Sequence, residues 1–181
     1  MSEIISHIIS GVNSSSIQYG NDYISEFKRV INLASNITGN LLEWGSGYTT
    51  RILAEYGESV GCNLLLTIDE NKNYLNDVIK PLKKYDFIKG EALGVTGSCV
   101  NDRDQGLNYS SYPLSLGEKF DIIFIDGRRR MECAFVASLL SHKDTLIILH
   151  DYRRVRYHHV DALFKVVEQG AQFKIMKINN I

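Results

Sequence analysis

Short apolar runs alternate with helical patterns along most of this chain, and this alternation limits the possible folds more than any other feature. The strongest run, Phe120–Ile125, is apolar at every position except Asp121, which is typical of a strand buried on both faces. Such strands, separated by helices, predict an α/β fold with a mostly parallel sheet between two helical layers. Predicted strands are Asn40–Trp44, Asn63–Ile68, Tyr85–Lys89, Phe120–Ile125, Thr145–Leu149 and Gln172–Ile178, and predicted helices are 22–36, Thr49–Tyr56, Asn73–Lys84, 130–141 and 155–168.

The order of these elements also predicts where a ligand binds. Right-handed crossovers place all strand-to-helix turns at one rim of a parallel sheet, and ligands bind outside the carboxyl ends of the strands. The residues that follow each strand are therefore the candidates for function. The long irregular stretch between the third and fourth strands, Leu93 to Glu118, is expected beside the same pocket. The final strand alternates in polarity, which indicates an edge strand at the C-terminus.

Composition sets broader bounds. A chain of 181 residues predicts a single domain, with residues 1–36 as an N-terminal helical cap and residues 37–181 as the core. A net charge of −1 gives no global field to attract nucleic acid or an anionic membrane. No apolar run approaches membrane-spanning length, and the three cysteines lack CxxC spacing. We therefore expect a cytoplasmic protein with neither nucleic-acid nor membrane partners; the exposed edge strand could support a homodimer.

A glycine turn follows the first strand in the sequence Glu43-Trp44-Gly45-Ser46-Gly47. Glycines allow a tight turn and a close approach of a ligand to the helix N-terminus. A dinucleotide site needs a third glycine where this chain has Thr50, whereas Glu43 suits a ligand with an amino group. Asp69 ends the second strand, where a carboxylate can accept both ribose hydroxyls. An ordinary turn and a helix cap are the alternatives for these residues.

Several segments together resemble the class I S-adenosylmethionine-dependent methyltransferases, in particular their small-molecule O-methyltransferase branch. The turn resembles the first motif of that superfamily, and Thr67-Ile68-Asp69 resembles its acidic second motif. Further matches are Lys89-Gly90-Glu91-Ala92, Phe120 to Gly127 and Ile147 to Tyr152. The resemblance implies a Rossmann-like three-layer sandwich that binds S-adenosylmethionine. It implies that the cofactor-binding residues are Glu43, Gly45, Ser46, Gly47, Asp69 and Glu91.

The same resemblance places the reacting end of the site after the fourth and fifth strands. His150 is the expected general base because its unperturbed pKa lies near neutrality. Asp126 and Asp151 could orient this histidine or accept a hydrogen bond from the methyl acceptor. The alternatives are a histidine that bonds loop backbone and two aspartates that cap the following helices.

A divalent metal is compatible with Asp126 and Asp151 but is not favoured. Related enzymes that use a metal often carry a second acid directly after the motif's glycine, where this chain has Arg128-Arg129-Arg130. A guanidinium cannot ligate a cation and repels one. We therefore predict no metal ligands.

Arginines follow both of these strands, and Arg128 and Arg153 are the candidates for substrate binding. Arginine recognises carboxylates and phosphates through paired hydrogen bonds, so an anionic small molecule or glycan would suit this rim. The alternative is a solvated surface, or ion pairs with Glu118, Asp121 and Glu132.

The sequence thus predicts a methyltransferase that acts on oxygen in a small molecule. Two other functions stay open at this point. One is an NAD(P)-dependent oxidoreductase, which Thr50 disfavours. The other is a methyltransferase-like binding domain without activity, which the retained Glu43, Gly45, Gly47 and Asp69 disfavour. Methylation of nucleic-acid bases is disfavoured because Asp126-Gly127-Arg128-Arg129 replaces the proline-rich motif of those enzymes.

Overall fold

The computed structural model of the protein describes residues 21–34, 37, 39–95 and 103–179. Seven strands form one sheet in the order β3-β2-β1-β4-β5-β7-β6. They are β1 (Asn40–Trp44), β2 (Leu64–Asp69), β3 (Ile88–Ala92), β4 (Phe120–Ile125), β5 (Ser141–His150), β6 (Phe164–Gln169) and β7 (Phe173–Ile178). The helices are α1 (Asn21–Ile31), α2 (Tyr48–Val60), α3 (Lys72–Ile79), α4 (Arg103–Ser111) and α5 (Arg130–Leu140), with short 3-10 helices at Lys80–Leu82, Tyr112–Leu116 and Val155–Ala162.

The mostly parallel sheet predicted from the apolar runs is confirmed. Strands β1 to β5 pair in parallel, and all six residues of β4 are buried. One apolar cluster joins the sheet to α5 and includes Ile123, Ile125 and Leu149. A second cluster on the opposite face joins it to α1 and α2 through Phe27 and Leu53. Helices therefore cover both faces, as the continuous apolar runs require.

The C-terminal part of the chain forms an antiparallel hairpin at one side of the sheet. The strand predicted at the C-terminus is present as β7, which runs antiparallel and pairs with both β5 and β6, so β6 rather than β7 is the outermost strand of this edge hairpin. The helix predicted at 155–168 is wrong: a 3-10 helix ends at Ala162 and β6 follows. The residues of β6 alternate between buried or half-buried and exposed, and this period of two favours a strand over a helix.

Two other predictions need adjustment. The third strand is Ile88–Ala92 rather than Tyr85–Lys89, and the stretch from Leu93 to Glu118 is not wholly irregular because it contains α4 and a 3-10 helix. The helix predicted at 22–36 is present as α1, which ends at Ile31, whereas residues 1–20 lie outside the described residues. The division into a cap and a core within one domain stays a prediction.

Candidate functional site

The turns that follow β1 and β4 meet at the centre of the sheet rim. Gly45 has a φ of 96°, and its backbone N–H donates to the Ile68 carbonyl at 2.8 Å. A Cβ atom added to Gly45 would lie 2.6 Å from the backbone nitrogen of Gly127. Both the backbone angle and the available space therefore require glycine at this position. The contact fixes the turn after β1 against the turn after β4.

Asp69 holds the turn after β1 in place. One of its carboxylate oxygens, Oδ2, accepts hydrogen bonds from the backbone N–H of Ser46 at 3.0 Å and from the Ser46 hydroxyl at 2.9 Å. The other, Oδ1, accepts from the backbone N–H of Asn71 at 2.9 Å. Since two carboxylate oxygens offer about four acceptor positions, Asp69 retains capacity for a ligand hydroxyl. Its predicted contact with a ribose stays a prediction.

Glu43 lies deeper than the sequence pattern suggests. Its side chain is fully buried, and its carboxylate accepts hydrogen bonds from the hydroxyls of Thr49 and Thr50 at 2.6 Å each and of Thr67 at 2.7 Å. Burial raises the pKa of Glu43 from 4.5 to about 7, although the three hydroxyl donors partly oppose the shift. The carboxylate thus fixes the first turn of α2. Its direct contact with a ligand ammonium stays a prediction.

Gly47 differs from Gly45 because neither its backbone angle nor a close contact within the described part of the chain requires a glycine there. Its φ is 172°, an extended angle open to any residue, and the nearest atom to an added Cβ is the Tyr74 hydroxyl oxygen at 3.5 Å. Its backbone N–H donates to the Thr50 hydroxyl at 2.9 Å. Without a side chain at this position, a ligand can approach the backbone closely at the N-terminus of α2.

Glu91 lies within β3 at the outer end of the same rim. Its carboxylate accepts a hydrogen bond from the Tyr112 hydroxyl at 2.5 Å and pairs with the Lys89 ammonium at 3.3 Å. It therefore links β3 to the 3-10 helix that precedes β4. Its predicted contact with a cofactor stays a prediction.

Asp126 and His150 meet across the ends of β4 and β5. Oδ1 of Asp126 lies 2.6 Å from Nδ1 of His150, and the histidine side chain is 6% exposed. The Tyr23 hydroxyl of α1 donates to Oδ2 of Asp126 at 3.3 Å, and the Tyr23 ring packs edge-on against His150 at 5.1 Å between centroids. The structure thus joins two predicted catalytic residues and adds a tyrosine.

Arg130 links this pair to Asp151. Its guanidinium donates to Oδ1 of Asp126 at 2.9 Å and to the backbone carbonyl of His150 at 2.7 Å, and it lies 3.3 Å from Oδ2 of Asp151. The side chain is only 10% exposed. One guanidinium therefore bridges the two carboxylates considered as metal ligands, and a cation that used both would have to displace it. Among the described residues, no three acidic, histidine or cysteine side chains converge as metal ligands.

The two predicted substrate arginines lie in different surroundings. Arg128 extends across the rim and pairs with Glu70 at 2.7 Å, with 67% of its side chain exposed. The Arg153 guanidinium stacks 5.9 Å from the centroid of the Tyr152 ring. Of the ion pairs considered as the alternative, Arg129 with Glu132 is present at 3.2 Å. Substrate binding by Arg128 and Arg153 stays a prediction.

Five residues of this rim were not singled out as site residues by the sequence patterns. They are Tyr23, Thr49, Thr50, Thr67 and Arg130. One of them carried a usable signal: Thr67 pairs directly with Glu43 in the β1–β2 register, so the alternation of strand side chains could have placed its hydroxyl beside the carboxylate. The other four residues lie on helices and reach the site because those helices pack against the sheet. A local sequence pattern does not predict such packing.

Comparison with solved structures identifies the architecture. The chain matches the precorrin-6y C5,15-methyltransferase of Geobacter metallireducens GS-15 with a TM-score of 0.63 at 13% identity, covering 93% of each chain. It matches the N-methyltransferase NodS of Bradyrhizobium japonicum WM9 in complex with S-adenosyl-L-homocysteine with a TM-score of 0.59 at 12% identity, covering 98% of each chain. The chain has the class I methyltransferase fold.

The same fold occurs in an O-methyltransferase. The apo structure of CalS11, a TDP-rhamnose 3′-O-methyltransferase of calicheamicin biosynthesis, matches with a TM-score of 0.61 at 8% identity over 99% of this chain and 87% of that one. No family model matches the sequence, and no curated protein matches it. No helix in the described part of the chain is long and apolar enough to cross a membrane.

Proposed function

We propose that this protein is an S-adenosylmethionine-dependent methyltransferase that acts on oxygen in a small, anionic molecule or glycan. The observation that carries the proposal is the glycine at position 47, at the N-terminus of α2, where neither backbone strain nor a close contact among the described residues requires one. The fold supports it, because an antiparallel β7 lies between β5 and β6, unlike the usual dinucleotide-binding order. A cytoplasmic location and a homodimer through the edge hairpin belong to the same proposal.

The residues of the rim suit the proposed cofactor. Ser46 and Gly47 would receive its amino-acid part at the N-terminus of α2, and Asp69 would accept hydrogen bonds from its ribose. Glu43 would act from beneath, by fixing the turn through the threonine hydroxyls, and Glu91 would flank the adenine. The bound cofactor supplies an electrophilic methyl group on a sulfonium.

The Asp126–His150 pair suits the removal of a proton from an acceptor hydroxyl. Asp126 holds Nδ1 of the imidazole and so orients His150 as the base that would take up the proton of the acceptor hydroxyl. Arg130 and Tyr23 keep the Asp126 carboxylate in place, since both donate to it. Asp151 would act through Arg130, which it contacts. These groups orient and deprotonate the acceptor, which is most of what an in-line methyl transfer requires from a protein.

Substitution of Gly47 by alanine tests the cofactor site most directly. The extended backbone and the distance of 3.5 Å to the Tyr74 hydroxyl predict an unchanged unfolding temperature. The new methyl group would occupy the ligand space, so we expect S-adenosylhomocysteine affinity to fall at least about tenfold, or about 1.4 kcal/mol. Calorimetric titration measures the affinity. Gly94→Ala is the matched control, because no atom lies within 4 Å of its added Cβ.

The proposal as a whole depends on binding of the sulfur nucleotides. S-adenosylmethionine or S-adenosylhomocysteine should raise the unfolding temperature of the wild-type protein, and NAD should not. The absence of a shift with both sulfur nucleotides would overturn the proposed function. A shift with NAD alone would favour an oxidoreductase.

Asp69→Asn provides a second test at the ribose position. Asparagine keeps the size of the side chain but removes its charge and one of its two carboxylate acceptors. We expect cofactor affinity to fall at least about tenfold, on the order of 1.4 kcal/mol, in a titration with S-adenosylhomocysteine. Asp77→Asn, on α3, is the control for the loss of one charge. Equal affinity in Asp69→Asn and wild type would place the ribose contact elsewhere.

A further inference from the structure

A cleft of about 340 Å³ opens between the start of α5 and the 3-10 helix Val155–Ala162. We call it the arginine cleft. Its lining includes Arg130, which bonds Asp126. Its charged lining consists of Arg128, Arg129, Arg130, Glu132, Arg154 and Arg156. Five guanidinium groups thus line one cleft. Four of them make ion pairs with neighbouring carboxylates, so among the described residues the positive charge that no carboxylate neutralises belongs to Arg156.

Three of these arginines are already engaged with the rim. Arg130 is held by Asp126 and by the His150 carbonyl. Arg128 pairs with Glu70. Arg154 pairs with Asp151 at 2.6 Å, with half of its side chain exposed. These ion pairs hold the three side chains against the rim. The other two arginines of the cleft are Arg129 and Arg156.

Arg129 carries two unusual features. Its φ of 49° lies in the left-handed region, which costs free energy for a residue with a Cβ. Its Nε is buried and has no hydrogen-bond partner among the described residues, which is rare for a buried donor. Its single ion pair, with Glu132, uses a different nitrogen of the guanidinium. Arg129 also lines the cleft, with 22% of its side chain exposed, and backbone strain of this kind is common at binding sites.

Arg156 supplies a second donor group on the opposite side of the cleft. Its guanidinium carbon lies 4.8 Å from the centroid of the Tyr157 ring, and that of Arg130 lies 5.4 Å from the same centroid. Tyr157 is buried, so it provides a fixed surface against which the guanidinium rests. Within the described part of the chain, Arg156 makes no ion pair with a carboxylate. Its charge is therefore available to a ligand.

We propose that the arginine cleft binds the phosphate group of an organic phosphate, and that this group belongs to the methyl acceptor. Phosphate offers several oxygens in a tetrahedral arrangement, which suits guanidinium groups that approach from two sides, whereas a carboxylate suits one planar fork. The cleft volume of about 340 Å³ is also many times the roughly 30 Å³ that one water occupies. It therefore has room for a phosphate group and for part of the molecule that carries it. Arg130 lines the cleft and bonds Asp126, so the phosphate site adjoins the proposed base. This inference moves recognition of the anion from Arg153 to Arg129 and Arg156.

The inferred phosphate site rests on the proposed function in one respect only, namely that the bound organic phosphate is the methyl acceptor. Binding of the phosphate can be measured without any cofactor. The probes are glucose 1-phosphate, inorganic phosphate, glucuronate and glucose, titrated calorimetrically into the full chain at matched ionic strength. A parallel titration with S-adenosylhomocysteine tests the methyltransferase proposal separately, so failure of one leaves the other intact.

The variants are Arg156→Gln and Arg129→Asn, and the matched control is Arg51→Gln. Arg51 lies on α2 outside the cleft, where it pairs with Glu55. Asparagine at position 129 tolerates the left-handed backbone, so both cleft variants should fold, which their unfolding temperatures will show. We expect glucose 1-phosphate to bind wild type and Arg51→Gln equally and to bind each cleft variant at least tenfold more weakly.

Several outcomes would overturn the proposal. The first is no saturable binding of glucose 1-phosphate, and the second is equal binding by the cleft variants and the control. Glucuronate that binds as tightly as glucose 1-phosphate, with the same dependence on the arginines, would assign the cleft to carboxylates. Inorganic phosphate that binds as tightly as glucose 1-phosphate would indicate a site for a free ion. Binding of glucose would exclude recognition by charge.

Discussion

Gly45→Ala should lower the free energy of unfolding by about 3 kcal/mol or more, because backbone strain and steric overlap add at this position. The φ of 96° disfavours any residue with a Cβ. The added methyl group would also lie within 2.8 Å of three backbone atoms of Asp126 and Gly127. Backbone cannot rotate away as a side chain can, so the turns after β1 and β4 would have to separate.

Urea denaturation of Gly45→Ala and Gly94→Ala measures this effect. Gly94 has open space around an added Cβ and no positive φ, so its substitution should change stability little. A loss for Gly45→Ala no greater than that of the control would contradict the close approach of the two turns. Separation of the turns would also move Asp126 relative to Ser46, so any remaining folded variant should bind S-adenosylhomocysteine poorly.

Glu43→Gln should make the protein more stable at neutral pH and remove a pH dependence of stability. Burial raises the pKa of Glu43 from 4.5 in the unfolded chain to about 7 in the folded one. The folded state therefore binds the proton more tightly, and stability falls as pH rises from 4.5 to about 7. Each pKa unit corresponds to about 1.4 kcal/mol, so the full effect is on the order of 3 kcal/mol.

Glutamine has the shape of the protonated carboxyl, and threonine hydroxyls can act as donors or acceptors towards it. Unfolding measured at about pH 5 and about pH 8 should therefore give a difference between wild type and Glu43→Gln that grows with pH. Glu55→Gln is the control, because Glu55 is half exposed on α2 and pairs with Arg51. Parallel pH dependence of wild type and Glu43→Gln would show that Glu43 is ionised throughout this range.

Gly45 and Glu43, at the turn after β1, show how much of the site a local sequence pattern can predict. The glycine turn after an apolar strand predicted a backbone that needs glycine, and Gly45 meets that expectation. The acid at position 43 predicted a carboxylate beside a ligand, and the structure instead surrounds it with three hydroxyls. Two of these come from α2 and one from β2, so only the packing of separate elements decides which groups the carboxylate meets.

The C-terminal region shows where a local sequence pattern fails to predict the secondary structure. Apolar runs of five or six residues were sufficient to predict β4 and β5, because a strand buried on both faces has few alternatives. The segment 155–168 has mixed polarity, and its helical interpretation was wrong because pairing with β7 stabilises β6 as a strand. β7 is itself held in the sheet by β5, and a pattern read within residues 155–168 contains neither of these partners.

The sequence by itself determined the parallel sheet, the rim at which a ligand would bind, and the candidates Asp69, Asp126 and His150. Those inferences follow from periodicity and from the fixed hand of the crossovers, which are local or general properties of chains. Only the tertiary structure decided that Arg130 lies between Asp126 and Asp151, and that Arg129 and Arg156 face one cleft. The physical reason is that long arginine side chains reach partners set by packing, which the residue type does not specify.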